Sequence, residues 1–219
     1  MTSVLPRPCL CLVTDRTVTH GNLGELVERV TQAVKGGVDL VQLREKDLPA
    51  GELLGLATSL LHAIGGRAKL IVNDRADVAL AVGAQGIQLG EDGLPVSAAR
   101  KTLGSGTLVG RSVHSVSAAS QAETDGADFL VVGTMFASRS HPGAEPAGTD
   151  LMRRISHNCR LPLIGIGGIT PENAPEVMEA GGSGVAVITN ILAAPDPEAA
   201  AGRLKGAICE AWRIRNNPA

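Results

Sequence analysis

The sequence predicts an α/β fold, a single-domain (β/α)8 TIM barrel over residues 1–219, and three observations predict it. Short apolar runs of strand length alternate eight times with stretches of helical spacing, the pattern of parallel strands joined by right-handed crossovers. Polar or charged clusters follow nearly every apolar run, as expected when one mouth, at the C-terminal ends of the strands, carries the chemistry. The core must be aliphatic, because the chain has only three aromatic residues, Phe129, Phe136 and Trp212. Val, Ile, Leu and Ala suit helices packed closely over parallel strands. An open doubly wound sheet of eight strands is the competing topology.

The elements follow in order. The apolar run 9–13 is a strand ending in Thr14-Asp15-Arg16. Leu23, Leu26, Val27, Val30 and Val34 recur at helical spacing until Gly36-Gly37 stops them. The second strand, 38–43, runs into Arg44-Glu45-Lys46-Asp47, and its helix, carried by Leu53, Leu54, Ala57, Leu60, Leu61 and Ile64, closes at Gly65-Gly66. The third strand, 70–72, ends at Asn73-Asp74-Arg75, with a short helix near 77–82. The fourth, 86–89, leads to Gly90-Glu91-Asp92-Gly93 and a helix over 96–103. The fifth begins at 108–109 and ends in Arg111-Ser112-Val113-His114-Ser115, before a helix over 117–124. The sixth, 128–132, opens a long polar loop from 133 to about 148, then a helix near 150–157. The seventh, 163–166, meets Gly167-Gly168, and Thr170, Pro171 and Glu172 read as N-cap, first helical residue and first-turn acid of a helix over 171–180. The eighth, 184–188, precedes Thr189-Asn190 and a last helix over 197–213.

Composition excludes several classes. A net charge of −2 gives no general affinity for nucleic acid or acidic membranes. No apolar run approaches the roughly 18 residues of a membrane span, and no basic region followed by an apolar segment marks a secretory signal. Four cysteines, Cys9, Cys11, Cys159 and Cys209, lack CxxC spacing and read as free thiols of a reducing cytoplasm. The expected partners are small-molecule substrates, and an exposed apolar helix face would point to a homodimer.

The strand-end clusters carry the chemistry. Gly167-Gly168 between a strand and a helix start lets backbone N–H groups converge on a phosphate, and the eighth-strand end, Ile188-Thr189, meets it where barrels commonly build phosphate sites. A tight turn needing glycine for its own geometry is the structural alternative. Gln42, Arg44 and Lys46 alternate onto one face and suit a polyanion such as pyrophosphate, Arg44 offering a bidentate fork; a solvated charged loop is the alternative. Asn73-Asp74 with Asp92 would hold Mg2+ against a diphosphate, whereas Asp74 as a helix N-cap and Asp92 in an Asx turn are the structural readings. Ser112 and His114 stand two apart with no elbow motif, so they read as ligand or loop contacts and not as a hydrolase pair. Residues 137–143, rich in hydroxyls and donors, would close over an anion.

The segments QLREK (42–46), VNDR (72–75), GIQLGEDGLP (86–95), GRSVHS (110–115), GTMFASRSH (133–141), GIGGITPEN (165–173) and GVAVITNI (184–191) resemble the thiamine phosphate synthase superfamily, which also contains the thiazole tautomerases. They run in order from about residue 9 to residue 210. The resemblance implies a barrel that joins 4-amino-5-hydroxymethyl-2-methylpyrimidine diphosphate to hydroxyethylthiazole phosphate, giving thiamine phosphate and pyrophosphate with Mg2+. It implies that Gln42, Arg44, Lys46 and Asn73 bind the pyrimidine diphosphate, that Asp74 ligates Mg2+, and that Ser112 contacts the diphosphate or pyrimidine end. Ser138 and Ser140 match positions near the thiazole phosphate, and Gly168, Ile188 and Thr189 match its pocket.

Three positions depart from the family pattern. Its second metal-ligating aspartate falls on Gly93, with Asp92 one residue early. Its sixth-loop lysine is His141, which lacks a permanent charge near neutral pH, and its proline before the hydroxyl pair is Ala137. These changes, and GRSVHS, lean toward the tautomerases, for which His114 or His141 is a candidate base. Lys46 and Asp74, which tautomerases tend to lose, lean toward the synthases, and a histidine proposed as the tautomerase acid/base aligns with Thr134. Synthase is the leading expectation; a tautomerase and a non-catalytic phosphate-ligand binder are its rivals.

Overall fold

Eight parallel strands close on themselves in the structure, a computed structural model that describes residues 4–137 and 147–217. They are β1 (Cys9–Val13), β2 (Leu40–Leu43), β3 (Lys69–Asn73), β4 (Gly86–Leu89), β5 (Leu108–Val113), β6 (Phe129–Gly133), β7 (Leu163–Ile166) and β8 (Gly184–Val187). Each pairs with its sequence neighbours, and β8 pairs with β1 from Cys9↔Gly184 to Leu12↔Val187, which rules out the open sheet. The helices are α1 (Leu23–Lys35), α2 (Ala50–Ile64), α3 (Ala76–Val82), α4 (Val96–Leu103), α5 (Val116–Thr124), α6 (Gly148–Asn158), α7 (Ala174–Glu179), α8 (Thr189–Leu192) and α9 (Pro197–Asn216).

The period of two along each strand sorts its side chains between two cores. Leu10, Leu12, Val41, Leu43, Leu70 and Val72 face outward and pack beneath the helices. Cys9, Cys11, Leu40, Ile71, Leu108 and Phe129 face inward and fill the barrel. Phe129 fits there because β5 contributes Gly110 opposite it, where a Cβ would collide with the ring. At the opposite end from the mouth, one side chain before each of β2, β4 and β6 ties it to the strand before. Asp39, Gln85 and Asp128 accept the backbone N–H groups of Leu10, Leu70 and Val109 at 2.7, 2.8 and 2.7 Å.

Two local expectations change. The helix expected over 171–180 begins at Ala174, because Asn173 folds back on the loop: its Oδ1 accepts from the Thr170 N–H at 2.8 Å and its Nδ2 donates to the Gly168 carbonyl at 3.0 Å. Thr170 is therefore not the N-cap. After β8 the chain makes a short helix, α8, at Thr189–Leu192, which the sequence pattern does not predict. No helix among the described residues is long and apolar enough to cross a membrane.

Candidate active site

The inward-facing residues at the C-terminal ends of the strands split the mouth into two halves. On β2 to β5 they are Gln42, Asn73, Gln88 and Ser112, and the first three are buried to 5, 9 and 1 % exposure. On β6, β7 and β1, and just past β8, they are Val131, Ile166, Val13 and Ile188. A polar wall therefore faces an apolar one.

The polar wall is a directed chain. The main-chain N–H of Gly90 donates to Asp74 Oδ1 at 2.7 Å, and Asn73 Nδ2 donates to Asp74 Oδ2 at 2.8 Å. Asn73 Oδ1 then accepts from Gln42 Nε2 at 3.0 Å. A carboxylate only accepts, so Asp74 fixes the sense of both amides. The Gln42 carbonyl oxygen is the open end of that chain. Beside it, Gln88 Nε2 donates to Ser112 Oγ at 3.1 Å, which leaves the Ser112 proton free. Gln88 Oε1 is buried without a partner among the described residues. The sequence reading missed Gln88, since one amide inside GIQL reads simply as strand.

Asp74 does not cap α3. It sits in the left-handed region at φ 57°, and α3 starts from Arg75 with no side-chain cap. Its carboxylate reaches across to the turn closed by the Gly93 N–H on the Gly90 carbonyl at 3.0 Å. A Cβ on Gly93 would collide with Asp74 Oδ1. Asp92 is exposed on the same turn. Among the described residues no group of three or more His, Cys, Asp or Glu is gathered to hold a metal ion. Asp74 is thus one carboxylate against a turn of backbone.

β2 ends at Leu43, and Lys46 and Asp47 lie in a turn, so the strand alternation expected of Gln42, Arg44 and Lys46 stops short of Lys46. Thr14 Oγ1 accepts the Arg44 N–H at 2.9 Å and fixes the strand end. Arg44 is half-buried and Lys46 exposed, whereas Glu45 between them is buried beside the 3-10 turn Arg16–Thr19. Lys46, Asn73 and Asp74 line one cavity of about 220 Å3 with Leu43, Glu45 and Arg75.

His114 stands at the rim. Its Nδ1 lies 3.1 Å from Glu91 Oε2, and no hydrogen bond joins it to Ser112 among the described residues. Arg111 braces the same loop by donating to the carbonyls of Leu94 and Glu91 at 3.0 and 2.8 Å. Ser115 caps α5 through the Ala118 N–H at 3.1 Å.

At the far side, Gly167 and Gly168 adopt φ 105° and 61°. The loop after β6 crosses them, with Met135 N–H donating to the Ile166 carbonyl at 2.8 Å and Phe136 N–H to the Gly167 carbonyl at 3.0 Å. A Cβ on Gly168 would collide with the Ala137 carbonyl, so glycine is needed here for close backbone approach as well as for φ. The N–H groups of Gly168, Ile169, Thr189 and Asn190 donate no hydrogen bond among the described residues. They stand at the ends of β7 and β8. Ser138, Ser140 and His141, the expected contacts of the sixth loop, lie outside the described residues.

Comparison with known proteins agrees with this geometry. The thiamine monophosphate synthase family matches residues 10–191. A thiamine-phosphate synthase of Natronomonas pharaonis is 47% identical over 186 residues, covering 83% of this chain and 86% of its own. That of Moorella thermoacetica is 46% identical over 188 residues, covering 84% and 89%. The solved thiamine phosphate pyrophosphorylase of Pyrococcus furiosus superposes with a TM-score of 0.83 at 34% identity, covering 93% of this chain and 96% of that one. With the match spanning most of the barrel and both halves of its mouth, the chain belongs to the thiamine monophosphate synthase family.

Proposed function

We propose that this chain is a thiamine-phosphate synthase that transfers the aminopyrimidinylmethyl group of 4-amino-5-hydroxymethyl-2-methylpyrimidine diphosphate to the nitrogen of hydroxyethylthiazole phosphate. The observation that carries this reading is the divided mouth. Arg44 and Lys46 stand beside an amide wall on β2 to β5, and four N–H groups that donate no hydrogen bond among the described residues stand across from them at the ends of β7 and β8. Two anionic substrates need two separate anion sites, and a heteroaromatic ring needs directional partners between them.

The chemistry asks for little proton transfer. The C–O bond to the diphosphate breaks with its electron pair leaving on pyrophosphate, the aminopyrimidine spreads the positive charge left at the methylene, and the thiazole nitrogen then forms the C–N bond. Arg44, with its planar fork, and Lys46 hold the departing oxygens and stabilise charge as it develops. The Gln42 carbonyl accepts from the ring amine, Asn73 holds Gln42 in that sense, and Ser112 donates its free proton to the pyrimidine or diphosphate. Gly168 with Gly167, Ile188 and Thr189 seat the thiazole phosphate, and the family resemblance adds Ser138, Ser140 and His141 to that role. Val131, Ile166 and Ile188 exclude water from the methylene between the two sites.

Asp74 fits a Mg2+ ion of the kind held by one carboxylate together with substrate phosphate and water. Asp92 is a second carboxylate on the adjoining turn. Bound there, Mg2+ would neutralise charge on the diphosphate. The buried, unpaired thiols of Cys9, Cys11 and Cys159 suit a reducing cytoplasm.

Incubation with both substrates and Mg2+ tests the reading. Thiamine phosphate and pyrophosphate should form in equal amounts, and Lys46→Ala should abolish both. No product at saturation overturns it. A metal-independent shift of the thiazole tautomer in its place would assign the chain to the tautomerases, and tight binding without turnover would make it a binder.

A further inference from the structure

The QLREK segment has a weakness as an anion site, because its two cations alternate with two carboxylates: Arg44-Glu45-Lys46-Asp47 sums to zero. Glu45 and Asp47 are the counter-ions adjacent in sequence to Arg44 and Lys46, and unpaired they would compete with a phosphate for both. The structure removes that competition with one residue from the neighbouring strand end. The Arg16 guanidinium forks onto Asp47, NH1 to Oδ1 at 2.6 Å and NH2 to Oδ2 at 2.7 Å. NH1 also reaches Glu45 Oε2 at 3.3 Å, and the Arg16 main-chain N–H donates to both Glu45 oxygens, at 3.1 and 3.2 Å. The Glu45 side chain is 3 % exposed, so its charge is spent inside this cluster. Hydrogen bonding from Arg16 holds the Asp47 carboxyl down at about 2, so it stays ionised and committed to that partner at any physiological pH. Among the described residues neither the Arg44 nor the Lys46 side chain makes an ion pair, whereas both carboxylates are engaged by Arg16.

We propose that Arg16 is a positioning residue of the diphosphate site, one that sequesters Glu45 and Asp47 and thereby leaves Arg44 and Lys46 free to bind pyrophosphate. The proposal rests on the synthase reading only for the name of the substrate; the anion site itself is read by inorganic pyrophosphate. Arg16 touches neither substrate, and its effect passes through the two carboxylates.

The test is a rescue. Arg16→Gln keeps the backbone N–H on Glu45 but releases Asp47, and it should raise the KM for the pyrimidine diphosphate and the Kd for pyrophosphate about tenfold, the scale of one restored ion pair in partial solvent. The KM for the thiazole phosphate should not change. Adding Glu45→Gln and Asp47→Asn to that variant should return both constants to within about threefold of the parent, since the competitors are gone. Arg16→Lys, which keeps the charge but loses the fork, should fall between and serves if Arg16→Gln does not fold. An unchanged pyrophosphate Kd in Arg16→Gln or Arg16→Lys overturns the proposal, and so does a triple variant as weak as the single, because a purely structural role gives no rescue. If the parent protein binds pyrophosphate but makes no thiamine phosphate, the synthase reading fails while the Arg16 comparison still decides.

Discussion

Asp74→Asn probes the polar wall through its weakest logical point. The side chain keeps its shape, and asparagine tolerates the left-handed φ of 57°, so the backbone adds no cost. What changes is one acceptor. With the Gly90 N–H still facing Oδ1, the new amide NH2 faces Asn73 Nδ2, donor against donor, at the site of a 2.8 Å hydrogen bond. A buried mismatch of that kind costs about 1–3 kcal/mol. The network avoids it by turning over: Asn73 flips to present its oxygen, and Gln42 flips in turn to meet the Asn73 NH2. Every bond is then restored, and only the charged character of the two bonds to Asp74 is lost, about 1 kcal/mol. For a chain of 219 residues that lowers Tm by about 2–4 °C. The larger consequence is at the mouth, where Gln42 now shows NH2 in place of its carbonyl and repels the ring amine of an aminopyrimidine. Titration calorimetry with the aminopyrimidine alcohol, which carries no diphosphate, in metal-free buffer isolates this effect from any ion. Affinity should fall about tenfold, one hydrogen bond's worth at 1.4 kcal/mol. An unchanged affinity, or a Tm loss well beyond that range, would refute the directed chain.

Two further outcomes follow from the titrating groups. Asp47 and Asp77 are held at about 2 by hydrogen bonds from Arg16 and Arg75, below their ordinary 3.8, so each adds stability above pH 4 that is lost as pH falls toward 2. Melting curves of Arg16→Gln should therefore lie below those of the parent near neutral pH and draw together as pH falls through 2; a gap undiminished at pH 2 contradicts the pairing. Burial pushes the Cys11 thiol up to about 12 and Cys9 upward as well, so brief alkylation of the native protein at pH 8, read by mass, should label Cys209 and spare Cys9, Cys11 and Cys159, whereas the denatured chain takes label on all four.

Much of the fold is legible in the sequence because the strands are buried on both faces and read as unbroken apolar runs. Val-rich 129–133 and 184–187 leave no other reading, and glycine pairs mark helix ends that the structure keeps, as at Gly36 and Gly65. The errors fall where a side chain acts on backbone at short range. Asn173 binding the Thr170 N–H delays α7, and nothing in TPEN distinguishes that fold-back from a first helical turn. The site is legible by residue type but not by direction. Gln42, Asn73 and Asp74 were recognisable as a polar set, yet which atom each presents depends on a carboxylate in left-handed backbone reaching a turn 16 residues on. Gln88 was invisible because its role depends on facing the inside of a closed barrel.

Gly93 connects the departure in sequence to the shape of the site. The Gly90–Gly93 turn lies so close to Asp74 that its backbone N–H occupies one carboxylate oxygen, and the missing Cβ is what permits the approach. An aspartate at 93 would put its Cβ against Asp74 Oδ1, so that carboxylate would have to shift, and would add a second negative charge beside it. With glycine at 93, Asp74 meets an oriented amide, and its carboxylate sets the polarity of Asn73 and Gln42. On the proposed reading, a cation held by Asp74, with Asp92 on the same turn, would draw its remaining ligands from the anionic substrate beside Arg44 and Lys46. On the same reading the Arg16 cluster is the counterpart of Gly93: position 93 adds no carboxylate beside Asp74, and Arg16 engages the two carboxylates interleaved with Arg44 and Lys46.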